Sequence, residues 1–261
     1  MITFKQFILE SEKPDSKIIA DTILEKCQPY LESPDFNTVF LRGLKIRSAD
    51  SNKKFIDLRE KAFIGNVRKN RRPGDSSPVF HGLFNDLLKS QFGINARSET
   101  LFVVQDELLA LEYGSVYRIF PIGNYEAIWS PSITDVYDIE TLSPTPEFKK
   151  IILEAARQIF NVKDYTDSEL SLALFKNKPK PEFSKNPFNL RDKKVLAAVL
   201  SQVFKNHGSE LYVKNNLDKI TNNKTEIMLV CDKYIAVDQR YVDKDQRYVD
   251  SVIHQINSRV K

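Results

Sequence analysis

ARSETLFVVQDELLALEYGSVYRIFPIG, residues 96–123, decides the fold. Leu101–Val104 is a short continuous apolar run, which suits a strand. Asp106 then stands where a helix needs a cap, and Gly114 stands where that helix must stop. Val116–Ile122 returns to β-branched and aromatic residues and closes at Gly123-Asn124, so a second strand follows the short helix. The hydroxyls of Ser98 and Thr100 precede the first strand, and Tyr113 closes the helix. Hydroxyls so placed can bind a ribose or a carboxamide, and an aromatic at a helix end can stack on a planar ring. Phe102 reads first as a core residue.

Toward the N-terminus, TVFLRGLKI (38–46) is an apolar, β-branched run interrupted by Arg42-Gly43, and it reads as a strand. A charge inside such a run is costly to bury unless it is paired. Gly43 removes a side chain, which lets a ligand come close to the backbone. An arginine fork beside bare backbone suits a phosphate or diphosphate. An edge-strand arginine facing solvent has the same appearance. Toward the C-terminus, NKTEIMLVCDKYIAV (223–237) reads as two strands, Glu226–Cys231 and Tyr234–Val237, joined at Asp232-Lys233. Glu226 opens the first of them. A carboxylate there can bond ribose hydroxyls and stabilise a developing oxocarbenium ion, or it can be an ordinary exposed strand-start glutamate.

Helical periodicity fills much of the remainder. Phe4, Phe7 and Ile8 define a short amphipathic helix within 1–12, and Ile18, Ile19, Ile23 and Leu24 define a second over 17–31. Residues 48–78 are polar, basic and proline-containing, and read as a long excursion. Residues 79–92 form a helix ending at Gly93, and 147–161 and 192–206 are amphipathic helices, with a polar, proline-rich connection at 176–187. The last segment, 244–260, is helical. DQRYVD occurs at 238–243 and again at 245–250, two helical turns apart, and reads as a local duplication.

With 261 residues, 41% hydrophobic and 28% charged, the chain can bury a sizeable core. It has no apolar run of about 18 residues, and its start lacks the zones of a secretory signal, so no membrane role is expected. Cys27 and Cys231 lie in apolar stretches without a CxxC partner and read as buried free thiols. His81, His207 and His254 are scattered, so no metal site is expected. The net charge of +4 is a weak pull toward acidic partners. Arg68, Lys69, Arg71 and Arg72 form the densest basic run, either a solvated loop or a patch contacting nucleic-acid phosphates.

Taken together, LRG (41–43), RSETLF (97–102) with Ala110 and Tyr113 after it, the strand VYRIFPIG, and EIML (226–229) with YIAV closing a hairpin resemble the ADP-ribosyltransferase superfamily in order and character. The spacing from Phe102 through Ala110 to Tyr113 resembles the poly(ADP-ribose) polymerase branch, and Arg42 the toxin branch. The resemblance covers about residues 36–130 and 220–237. It implies an α+β fold, an ADP-ribosyltransferase-like split antiparallel β-sandwich with N-terminal helices in 1–35. The domain itself would span 36–261, with a helical insertion at about 145–218. It implies NAD as a substrate, with no metal. Arg42, with Gly43 beside it, would hold the NAD phosphates or the nicotinamide ribose, and Ser98 or Thr100 would support the cofactor. Phe102 and Tyr113 would stand beside it, with Tyr113 stacking near nicotinamide, and Glu226 would be catalytic. Lys224 stands where arginine-modifying members carry Glu or Gln, which argues against arginine as acceptor.

MITFKQFILE (1–10) resembles the capsid-targeting leader of internal head proteins of T-even-like phages, with Ile8-Leu9-Glu10 at the cleavage site. Together the two resemblances imply a phage-encoded mono-ADP-ribosyltransferase, packaged in the virion interior and injected into the host cytoplasm to modify a host macromolecule. A non-enzymatic internal head or DNA-associated protein is the first alternative, and an NAD glycohydrolase the second.

Overall fold

The computed structural model describes residues 14–45, 53–55, 61–72, 78–140, 144–161, 166–175 and 193–240. The helices expected over 1–12 and 244–260, the leader-like start, the 176–187 connection and the DQRYVD repeat beyond Arg240 lie outside the described residues.

The helix expected over 17–31 is two helices, α1 (Pro14–Lys26) and α2 (Gln28–Leu31). Pro29 causes the break, because it has no N–H to continue the ladder and its ring suits the first turn of a new helix. After a 3-10 turn at Pro34–Asn37 comes β1 (Leu41–Leu44). The stretch read as an excursion instead contains β2 (Lys53–Phe55) and β3 (Ala62–Asn66), an antiparallel pair with Phe55 opposite Phe63. The sequence conceals β3, since AFIGN does not alternate and contains a glycine. Gly65 is required there: a Cβ at that position would lie 2.4 Å from the Tyr234 ring.

Next come α3 (Pro78–Phe92), the single turn α4 (Ala96–Glu99), β4 (Leu101–Val103), α5 (Glu107–Glu112), β5 (Ser115–Ile122) and β6 (Glu126–Trp129). The deciding stretch therefore has the expected strand–helix–strand order. Asp106 caps α5 by accepting from Leu109 N–H at 2.8 Å. Asp106→Ala should lower stability by about 1 kcal/mol, measured by denaturant titration against wild type. Beyond these lie α6 (Val136–Glu140), α7 (Pro146–Phe160), α8 (Asp167–Phe175), α9 (Lys193–Leu211), β7 (Val213–Lys214), β8 (Ile227–Val230) and β9 (Lys233–Asp238).

The fold is α+β with two antiparallel sheets, ordered β1-β5-β9-β3-β2 and β4-β8-β6-β7. β8 and β9 are not the two arms of a hairpin: they belong to different sheets, and the chain crosses between them at Cys231-Asp232. The reason lies in β9, where Tyr234, Ile235, Ala236 and Val237 are all buried. A buried strand must also pair its backbone N–H and C=O groups on both edges, and β9 does so with β5 and β3. At one corner the sheets meet. Leu41 of β1 donates to and accepts from Val104, just past β4, at 2.7 and 2.9 Å.

The chain divides into two compact units. The first comprises Met1–Lys69, Thr100–Ile128 and Lys214–Lys261. In it an aromatic cluster anchors α2, with Tyr30 ring to ring with Phe40 (5.4 Å), Phe36 (5.5 Å) and Tyr125 (5.6 Å). Cys27 and Cys231 are buried free thiols, and burial pushes each up to about 12. Neither supplies a thiolate near neutral pH. The second unit comprises Asn70–Glu99 and Trp129–Val213. It holds α3, α4 and α6 to α9. In α7, Thr145 caps the first turn by accepting from Phe148 N–H (3.2 Å), and Phe148, Ile152, Leu153, Ala155 and Ala156 are buried. Phe84 of α3 packs on Phe204 of α9 at 5.0 Å.

Candidate functional site

The corner where the two sheets meet carries Arg42 and Glu226. Strand alternation puts Leu41 and Gly43 on one face of β1 and Arg42 on the other. Leu41 packs with Ala110 of α5 and Val116 of β5. The face of Gly43 is taken by the same helix: a Cβ there would lie 1.9 Å from the Ala110 carbonyl oxygen and 2.8 Å from Tyr113 Cβ. The close approach that Gly43 permits is thus made by α5.

Arg42 leaves the strand on the opposite face, and its Nη1 donates to the Phe102 carbonyl of β4 at 2.5 Å. Its Nε is buried with no hydrogen-bond partner among the described residues. Burial lowers the guanidinium from its ordinary value, Tyr234 and Glu226 act to raise it, and Arg68 acts to lower it. An arginine remains charged under all ordinary conditions. Glu226, Tyr234 and Arg68, all in the first unit like Arg42, therefore lie within electrostatic reach of it.

Strand register explains how Glu226 arrives there. Val103 of β4 pairs with Ile227 of β8, so Glu226, one residue earlier, comes level with Val104. Val104 bridges Leu41, the neighbour of Arg42. An asparagine turn sets up the strand entrance: Asn222 Oδ1 accepts from Lys224 N–H (3.0 Å), Asn222 O from Thr225 N–H (3.0 Å), and Asn223 O from Gln105 N–H (3.1 Å). Thr225 is buried and Glu226 half-buried.

The other candidates separate. Phe102 is a core residue by its side chain (9% exposed) and reaches Arg42 through its carbonyl. Tyr113 is 48% exposed but packs on the Gly43 face of β1, opposite the side from which Arg42 departs. Thr100 is buried (3% exposed). Ser98 is half-buried and belongs to the second unit, on the turn α4 rather than on a strand, with its hydroxyl held by His81 and Asn85. The unit boundary also divides the basic run: Arg68 and Lys69 belong to the first unit, Arg71 and Arg72 to the second. Lys69 pairs with Asp232 at 2.8 Å. Tyr234 was not among the residues expected at the site. It opens the apolar run YIAV, and nothing in that run sets it apart from the core.

Among the described residues no group of three or more His, Cys, Asp and Glu could hold a metal ion, and no helix is long and apolar enough to cross a membrane. Comparison with protein-family models, curated proteins and solved structures found no match to this chain.

Proposed function

We propose that this chain is an NAD-dependent mono-ADP-ribosyltransferase, encoded by a phage, carried in the virion and acting on a host macromolecule. One observation carries the reading: Arg42 and Glu226, far apart in sequence, lie within electrostatic reach of each other beside the corner where, among the described residues, Leu41 and Val104 bridge the two sheets. A cation and a carboxylate at one site match the two ends of the chemistry. The buried Nε of Arg42 is an N–H donor awaiting an acceptor, which fits a phosphate oxygen. Bound NAD supplies a nicotinamide–ribose bond that breaks with the electron pair leaving on nicotinamide. The Glu226 carboxylate would hold the ribose hydroxyls and oppose the positive charge that develops at the anomeric carbon. The acceptor nucleophile then bonds to that carbon and loses its proton. Lys224, two residues before Glu226 and exposed, leaves arginine acceptors without the second acidic or amide side chain, so another acceptor type is expected.

Incubating the full chain with NAD labelled in the adenylate and a host lysate tests this. A labelled macromolecule supports transfer. Free ADP-ribose alone would make the protein an NAD glycohydrolase. Intact NAD combined with salt-sensitive DNA binding would make it a non-enzymatic, DNA-associated head protein.

A further inference from the structure

We infer that a cleft in the first unit, at the far end of β8 from Glu226, binds an alkylammonium ion carried on a methylene chain. The cleft has a volume of about 820 Å³, and small-molecule sites run from about 300 to about 1,000 Å³. All of its lining residues belong to the first unit. Val230, which ends β8, lines it, whereas Glu226 stands just before the first residue of that strand. At about 3.3 Å per residue the two are about 13 Å apart. The cleft shares no residue with the Arg42 and Glu226 site, so it stands whether or not the chain uses NAD.

Its walls carry the carboxylates of Asp35, Glu126, Asp218 and Asp232 and a single ammonium group, that of Lys69, in a chain whose net charge is +4. The protein's own lysines show how such a carboxylate is satisfied. Lys69 Nζ stands 2.8 Å from Asp232 Oδ1, and Lys214 Nζ, at the end of β7, stands 2.5 Å from Glu126 Oε1. Asp35 and Asp218 receive no cation among the described residues. The Asp35 carboxylate accepts from the Tyr125 hydroxyl at 3.3 Å, and that hydroxyl lies closer, at 2.8 Å, to Ser33 Oγ. Asp218 is exposed on the 3-10 turn Leu217–Lys219, and its side chain has neither a hydrogen bond nor an ion pair among the described residues. Two carboxylates facing one cleft are thus left to a cation from outside.

Their spacing selects the kind of cation. A metal ion needs oxygens that converge on one point, and among the described residues no three His, Cys, Asp or Glu side chains do so. Ammonium groups joined by methylenes reach carboxylates that stand apart. Between the acids the wall is apolar at Pro29, Pro34 and Val230, which suits the methylenes, and Tyr125 offers an aromatic ring to the ammonium group. One wall is built in advance. Asn215 N–H donates to Ala127 O at 2.7 Å, and Asn215 Oδ1 accepts from Ala127 N–H at 3.0 Å. Asn215 and Asn216 hold left-handed φ values of +57° and +55°. That turn carries Asp218 to the cleft, and a wall already ordered costs little on binding.

The test is an NMR titration of the full chain with spermidine, with sodium chloride at matched ionic strength as control. Saturable shifts are expected at the amides of residues 124–126 and 215–218, with those of Arg42 and Glu226 unmoved. Asp35→Asn combined with Asp218→Asn should weaken the affinity about tenfold or more. Asp218→Asn alone should weaken it about threefold, and its exposed, unpartnered side chain makes this the variant that keeps its fold. A free polyamine and a lysine side chain of a peptide both supply the ion, and acetyl-trilysine amide separates them. Tighter binding of spermidine identifies a polyamine site, and tighter binding of the peptide a site for lysine side chains. An alkylammonium site is overturned by an equal response to sodium chloride, by no saturation with either probe, or by unchanged affinity in the folded variants.

Discussion

Replacing Glu226 by Gln should remove transfer of label from NAD while leaving the fold intact. Glutamine keeps the shape of the side chain and its hydrogen bonds to ribose hydroxyls, but loses the charge that opposes an oxocarbenium ion. Removing one such preorganised electrostatic contact costs about 10²–10³-fold in turnover, and a full negative charge at the anomeric carbon belongs at the upper end of that range. NAD binding should change much less, since the phosphates are assigned to Arg42. The fold should tolerate the change, because Glu226 is half-buried at a strand entrance fixed by backbone bonds and by the Asn222 side chain. The measurement is single-turnover release of nicotinamide, beside thermal unfolding of both proteins. Undiminished release from a folded Glu226→Gln protein would sink the assignment.

Local chemistry was the legible part of the fold. Asp106 and Gly114 delimit α5, Gly93 ends α3 with a φ of +78°, and Thr145-Pro146 starts α7, each through a backbone need that one residue type meets. Strand partnership was not legible. YIAV and EIML look like adjacent arms of a hairpin because they are adjacent in sequence, yet both edges of β9 are taken by β5 and β3, and β8 lies in the other sheet. AFIGN was hidden because Gly65 exists to accommodate Tyr234, a residue far along the chain. The site divides along the same line. Arg42 was visible as a charge inside an apolar strand, and Glu226 as a carboxylate opening one. Tyr234, also within electrostatic reach of Arg42, is set beside Gly65 by pairing between distant strands, which local pattern does not encode. Ser98 was visible as a hydroxyl before a strand, but its partners His81 and Asn85 lie on a helix read only for its apolar face.

Gly43→Ala should be among the most destabilising single-methyl additions in the protein. The added Cβ would lie 1.9 Å from the Ala110 carbonyl oxygen and 3.0 Å from its carbon, and both are backbone atoms that cannot swing aside. Relief requires β1 and α5 to separate, which opens the cluster of Leu41, Ala110 and Val116 with Val39 and Val104 packed against it. Overpacking typically costs about 1–3 kcal/mol, and a clash with backbone belongs at the top of that range. At about 2–4 °C per kcal/mol for a protein of this size, the melting temperature should fall by about 6–12 °C. Gly82→Ala is the control. It adds the same methyl inside α3, where nothing lies within 4 Å, and should stabilise by about 0.5–1 kcal/mol through helix propensity. The effect should reach function as well. Moving β1 moves Arg42 and strains the Leu41–Val104 bridge that brings Glu226 level with it, so nicotinamide release should fall in Gly43→Ala even below its melting point. A Gly43→Ala protein that melts with wild type would mean that α5 is not docked on β1. The sheet corner that unites Arg42 with Glu226 would then lose its support.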